Sequence, residues 1–211
     1  MGQLFSLGSP ISHVLARIVD IFILNLVFII LCLPIITIGA STTALYSVLM
    51  KMIKNEEKSI VKSFFISFKD NFFKSTILWM ITVFIGAIIL LDFLFLGNLS
   101  GLVRFLFTGM AIIFGFVFLC ISAFIFPYTA RYEDTIKKSI LNSLLIGTSN
   151  FPNLLAILLM NSIFVFIVLS SNLGFLTGLY FVTFGGFAFL AYLNALIISK
   201  VFSKYEVFNR C

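Results

Sequence analysis

Five stretches of this chain are long and apolar enough to cross a bilayer, at about Leu15 to Ile36, Ser75 to Leu96, Phe105 to Phe126, Pro152 to Leu169 and Phe175 to Ile198. A helical span needs roughly 17 to 25 mostly apolar residues, because each residue advances about 1.5 Å through about 30 Å of hydrocarbon. The five stretches take up most of the 211 residues. What remains is too short to bury a soluble domain's core, so any activity has to sit among the helices or on the loops between them. Only 10% of the residues are charged and mean hydropathy is +1.19, against roughly a quarter charged in an ordinary soluble domain. The expected fold class is all-α, a polytopic membrane helix bundle forming one domain over residues 1–211.

Basic residues close to span ends are retained on the cytoplasmic side, so their distribution predicts orientation. Lys51, Lys54, Lys58, Lys62, Lys69 and Lys74 lie between the first two spans. Arg131, Lys137 and Lys138 follow the third, and Lys200, Lys204 and Arg210 follow the fifth, which places twelve of the fourteen basic residues on one side. The expected location is a bacterial plasma membrane, with these loops and the C-terminus cytoplasmic and, for five spans, the N-terminus outside. A six-span reading makes Ile35 to Met50 a further span and moves His13 and Arg17 to the cytoplasm. Five is preferred because of a faint internal repeat between 15–96 and 105–170, followed by a fifth span at 175–198. Pro34, Thr43-Ala44-Leu45-Tyr46, Lys62-Ser63 and Asn71-Phe72 recur in order as Pro127, Thr129-Ala130-Arg131-Tyr132, Lys138-Ser139 and Asn150-Phe151. Each unit reads as a helix ending near a proline, a polar elbow, an amphipathic cytoplasmic helix and a return span.

In the first of those amphipathic segments, Ile60, Phe64, Phe65 and Phe68 share a helical face, with Lys58, Lys62 and Lys69 mainly elsewhere. That face, together with Asn71 and Phe72, is expected to meet lipid headgroups, the bundle itself or a cytoplasmic partner.

Two structural ion pairs are expected, Arg17 with Asp20 at helical spacing and Asp92 with Arg104 across a short hairpin. No ionisable residue falls near the centre of a span, where proton or ion pathways place theirs. Asn25, Asn161 and Asn194 are more central and suit hydrogen bonds between helices. Cys32, Cys120 and Cys211 lack metal or redox spacing and read as small apolar groups. The opening Met1-Gly2-Gln3-Leu4-Phe5-Ser6 fits a myristoylation pattern too short to be informative, and the first apolar run is too long for a cleaved signal peptide. No phosphate loop, zinc-binding His-Glu-x-x-His or Gly-x-Ser-x-Gly turn occurs, and His13 stands alone before the first span. No catalytic residue, metal or cofactor is expected, and no nucleic-acid partner.

The run Leu24-Asn25-Leu26, then Leu33-Pro34-Ile35-Ile36-Thr37-Ile38-Gly39-Ala40-Ser41-Thr42-Thr43-Ala44-Leu45-Tyr46, resembles the YesL-like family of small bacterial membrane proteins. A second block, Phe64 and Phe65 followed by Phe68-Lys69-Asp70-Asn71-Phe72 and Lys74-Ser75-Thr76, resembles that family's phenylalanine-rich segment. The likeness is strong over about the first 80 residues and rests on hydropathy beyond. Chemically the elbow suits folding better than ligand binding: Gly39 and Ala40 permit close backbone approach, and Thr37, Thr42 and Thr43 satisfy groups freed at a helix end. The resemblance implies a non-enzymatic accessory or regulatory subunit linked to carbohydrate uptake in Gram-positive bacteria. Its implied partners are the permease and ATPase subunits of a sugar ABC importer. The permease itself is not implied, because the Glu-Ala-Ala coupling segment of such permeases is absent. A small self-sufficient transporter is the alternative.

Overall fold

The computed structural model describes residues 10–56 and 59–208. Met1 to Ser6, Lys58, Arg210, Cys211 and the side chain of His13 lie outside what it describes. The described residues form α1 (Pro10–Cys32), a 3-10 turn (Ile35–Thr37), α2 (Ile38–Ile53), α3 (Ile60–Phe95), α4 (Gly101–Arg131), α5 (Ile136–Ser149), α6 (Phe151–Leu169), α7 (Asn172–Phe181), a π-turn (Val182–Gly186) and α8 (Phe187–Phe208). They contain no strand. Six helical stretches are long and apolar enough to cross a membrane, and the chain is an all-α, multi-pass membrane protein.

The sixth of these, Ile35–Ile53, is where the five-span reading needs correction. Expected on the membrane surface, α2 instead forms the centre of the bundle, with eleven of its sixteen residues buried. No charge occurs between Asp20 and Lys51, so nothing holds this segment in water. Gly39, Ala40, Ala44 and Ser47 keep its surface thin enough for neighbours to close in. The built position of a Cβ on Gly39 would lie 2.4 Å from the Ser75 carbonyl oxygen and 2.5 Å from the Trp79 Cβ.

Hydroxyl pairs complete the α2–α3 seam, Ser47 with Ser67 at 2.7 Å and Ser75 donating to Thr43 at 2.8 Å. Lipid tails are as apolar as leucine, so close packing and such polar contacts hold membrane helices together where burial alone would not. Leu45, Val48, Leu49 and Met52 pack with Leu24 of α1, Phe64 of α3 and the small stripe Ala188, Ala191 and Ala195 of α8. A second cluster joins Met50 to Cys120, Phe124, Leu154, Ile157, Ile198 and Phe202.

Reversal by α2 also changes which ends meet. Arg17 donates from Nη2 to Asn55 Oδ1 at 2.5 Å, so the start of α1 lies beside the α2–α3 turn and its lysines. The five-span reading had put them on opposite sides. The expected amphipathic helix and the second span are one continuous helix, α3, because neither glycine nor proline occurs between Ile60 and Ile85. The repeat's landmarks occupy unlike settings: Pro34 follows the end of α1, whereas Pro127 lies inside α4, and Asn71-Phe72 is mid-helix where Asn150-Phe151 separates α5 from α6.

Substituting Gly39 by alanine is expected to destabilise the protein by about 1–3 kcal/mol through overpacking. Gly109→Ala, where a Cβ meets nothing within 4 Å, should be neutral or stabilising by up to about 1 kcal/mol. Thermal unfolding of both variants in detergent checks the contrast.

Candidate functional site

At the end of the bundle where Lys51, Arg131 and Asp134 meet lies a polar notch of about 440 Å³. Helix α2 lends it Ser47 and Lys51, α3 lends Ser67, Asp70, Asn71 and Lys74, and the end of α4 with its following turn supplies Thr129 to Asp134. Lys51, Lys74 and Arg131 face Asp70, Glu133 and Asp134, so the notch carries both signs in equal number.

Its floor is tied down by hydrogen bonds. Arg131 grips Glu206 of α8 in a two-pronged pair, Nε to Oε1 at 2.7 Å and Nη2 to Oε2 at 2.8 Å, while its guanidinium lies 5.7 Å from the centre of the Phe202 ring. Parallel N–H donors match the spacing of carboxylate oxygens, which makes this geometry both strong and directional. Tyr132 donates to the same Glu206 at 3.3 Å, and Tyr128 donates to Asp134 at 2.5 Å while accepting from Asn142 at 2.6 Å. Burial, with the Glu206 carboxylate next in importance, pushes the Tyr132 phenol up to about 12. It therefore remains a neutral donor at physiological pH. Arg131 Nη1 is buried with no partner.

The last membrane stretch is interrupted inside the bundle. Gly185 has φ +134°, a conformation side-chain-bearing residues rarely adopt, and the helix opens into a π-turn before α8 resumes. Asn25, fully buried, repairs the break by donating to the Val182 and Thr183 carbonyls at 2.9 and 3.1 Å and accepting from the Ala188 amide at 3.0 Å. Backbone groups freed within a membrane need such replacement partners. Asn194 of α8 similarly donates to Asn161 of α6 at 3.2 Å.

The elbow residues fall in the first half of the bundle. Pro34 precedes the 3-10 turn, and Thr37 Oγ1 donates to the Leu31 and Pro34 carbonyls at 2.6 and 2.7 Å. Gly39, Ala40, Thr43 and Ala44 are buried on α2, and Tyr46 packs between the α2 and α4 clusters. On α3, Lys69 and Phe65 are exposed, and Phe68, Asn71 and Phe72 are half-buried. Phe64 does not belong to a partner or lipid face: at 0% exposure it fills the core, so of the three expected contacts it makes the one with the bundle itself. Phe65 turns outward instead, with Val61 and Ile66, because successive helical residues differ by about 100°.

Neither expected ion pair forms, since the salt bridge found among the described residues is Arg131 with Glu206. Arg17 reaches across to Asn55 rather than along its own helix to Asp20. Asp92 lines an apolar groove between α3 and α4, while Arg104 is exposed. Sequence reasoning overlooked the Arg131–Glu206 pair, whose members are 75 residues apart, because no local spacing announces such a contact. No group of three His, Cys, Asp or Glu residues suited to a metal ion occurs among the described residues.

Residues 21–93 match the family model described as "Protein of unknown function, DUF624". Over that segment the chain is similar to the DUF624, YesL-like proteins. Over 185 residues, covering 87% of this chain and 80% of the relative, it is 26% identical to "Uncharacterized protein YteU" of Bacillus subtilis (strain 168). No solved structure matches it. The matched segment holds about half of α1, the elbow, α2 and nearly all of α3, hence Asn25 and the α2 and α3 walls of the notch. The α4 wall with Arg131, and Glu206 behind it, lie outside the match.

Glu206→Gln is expected to cost about 1–3 kcal/mol, because it weakens a charge-assisted pair and leaves a largely buried guanidinium without its counter-charge. The lowered midpoint should be visible in detergent melts and should be smaller in Glu206→Asp.

Proposed function

We propose that this chain is a non-enzymatic accessory or regulatory subunit of the bacterial plasma membrane, linked to carbohydrate uptake by an ABC-type importer. The observation that carries the reading is the mixed-charge notch, whose floor is braced by Arg131, Glu206 and Tyr132. A fixed array of opposite charges suits register-specific docking of a partner's polar segment, since complementary charge sets specificity and orientation. Exposed Lys69 and Phe65 extend the same end of the bundle as a basic, partly apolar rim. In this reading the basic end is cytoplasmic, as the distribution of lysine and arginine predicts. Because the start of α1 and the end of α8 lie at that end, both termini are cytoplasmic too. The carbohydrate link and the Gram-positive setting rest on the family resemblance, and the sugar importer's permease and ATPase are the proposed partners.

A second reading, a self-sufficient transporter, is favoured by the Gly185 break with its Asn25 clamp. Discontinuous helices near the middle of a bundle are a recurring way of building solute sites in transporters.

Mild-detergent purification of the tagged protein from its native membrane, with mass spectrometry against a control membrane protein, tests the first reading. Sugar-importer permease and ATPase subunits are expected to co-purify, with at least tenfold lower recovery from Lys51→Glu/Lys74→Glu. Absence of those subunits from the wild-type preparation overturns it. Sugar flux by the protein reconstituted alone would establish the second reading.

A further inference from the structure

We infer that the α1–α2 hairpin is a wedge in one leaflet, entering and leaving the bilayer by the basic face and fitting acyl-chain hydrocarbon at its tip. Length and composition alone let α1 and α2 cross as two spans. Their tip, however, stops part-way along α3. Gly39, just after the elbow, presses on α3 at Ser75 and Trp79. Beyond Trp79 α3 continues to Phe95, about 24 Å further at 1.5 Å per residue. Met80, Phe84, Leu90 and Phe93 are exposed along that extension, as Phe73 and Ile77 are before it, so α3 offers lipid an apolar surface on both sides of the level of the tip. A tip so far short of the α3–α4 turn does not emerge at the face where that turn lies.

The chemistry of the tip agrees. Charges sit only at the base of the hairpin, Arg17 and Asp20 on one arm and Lys51 and Lys54 on the other, with Arg17 bonded to Asn55 to close it. From Ile21 to Met50 every residue is uncharged. At the elbow Leu33, Ile35 and Ile36 are 76%, 73% and 59% exposed. A turn in water would offer polar side chains there. Backbone groups that the bend releases are met locally: the Leu31 carbonyl accepts from Thr37 and Ser41, the Pro34 carbonyl from Thr37, and Pro34 itself has no N–H to satisfy. Irregular backbone at membrane depth requires that kind of internal satisfaction.

The test places single cysteines in the full-length protein with its three native cysteines replaced by alanine. Ile35→Cys, Glu56→Cys and Ser100→Cys report the tip, the base and the α3–α4 turn. With an impermeant maleimide, Glu56→Cys should label from one face of sealed vesicles and Ser100→Cys from the other. Ile35→Cys should label from neither, and should label fully after denaturation. Tip labelling from the Ser100 face would make the hairpin a complete pair of spans, and labelling from the Glu56 face would put the elbow in water; either overturns the inference. Should Ile35→Cys perturb insertion, a nitroxide on Leu33→Cys gives an independent reading. Collision with oxygen should exceed collision with a water-soluble nickel chelate, and the reverse order overturns the inference.

Discussion

The contact of α2 with α3 at Gly39 is the constraint from which the rest of the bundle follows. With no side chain at that position, the α2 backbone rests against the Ser75 carbonyl and Trp79, and two hydroxyl pairs hold the register below it. Once α2 is fixed there, α1 has to fold back along it, and Leu24 and Leu45 come into one core with Phe64. The stripe of alanines on α8 then has a surface flat enough to meet. Because lipid removes most of the apolar driving force between helices, a seam of small residues and hydroxyls decides this arrangement where leucine content does not.

The notch is a consequence of the same seam. Drawing α2 against α3 sets Lys51, Asp70 and Lys74 around one notch, and α4 closes the other side with Arg131 and the turn to Asp134. Glu206 converts that arrangement from a loose set of surface charges into a braced one, since it holds Arg131 by two donors and Tyr132 by a third. The site thus depends on four helices whose functional residues are spread from 47 to 206.

Much of this was legible residue by residue. Lys and Arg counts point to the end of the molecule that carries the notch, and Pro34 marks the turn, whereas Ile38 to Tyr46, which read as part of the same elbow, belong to α2. The same reading went wrong wherever a side chain had two faces open to it. Phe64 and Phe65 look alike in a periodic pattern, yet one is core and the other exposed. Arg17 has Asp20 at a favourable spacing and still bonds Asn55, which arrives from 38 residues away. Asn25 was identifiable as an interhelical hydrogen-bonder, but its partner, a helix opened at Gly185, was not, because nothing local to Asn25 signals a break 160 residues later.

By itself the sequence determined that this chain is a helical membrane protein, since unbroken apolar runs of span length leave the backbone no other way to satisfy its hydrogen bonds in hydrocarbon. It also indicated that the first helix ends near Pro34, since proline lacks the N–H that would continue the ladder. Only the tertiary structure decided that α2 is the core rather than a surface helix, that Arg131 pairs with Glu206, and that the hairpin tip stops beside Trp79. Each of those depends on which distant surface is thin enough, or correctly charged, to be approached, a property of two segments together that neither carries alone.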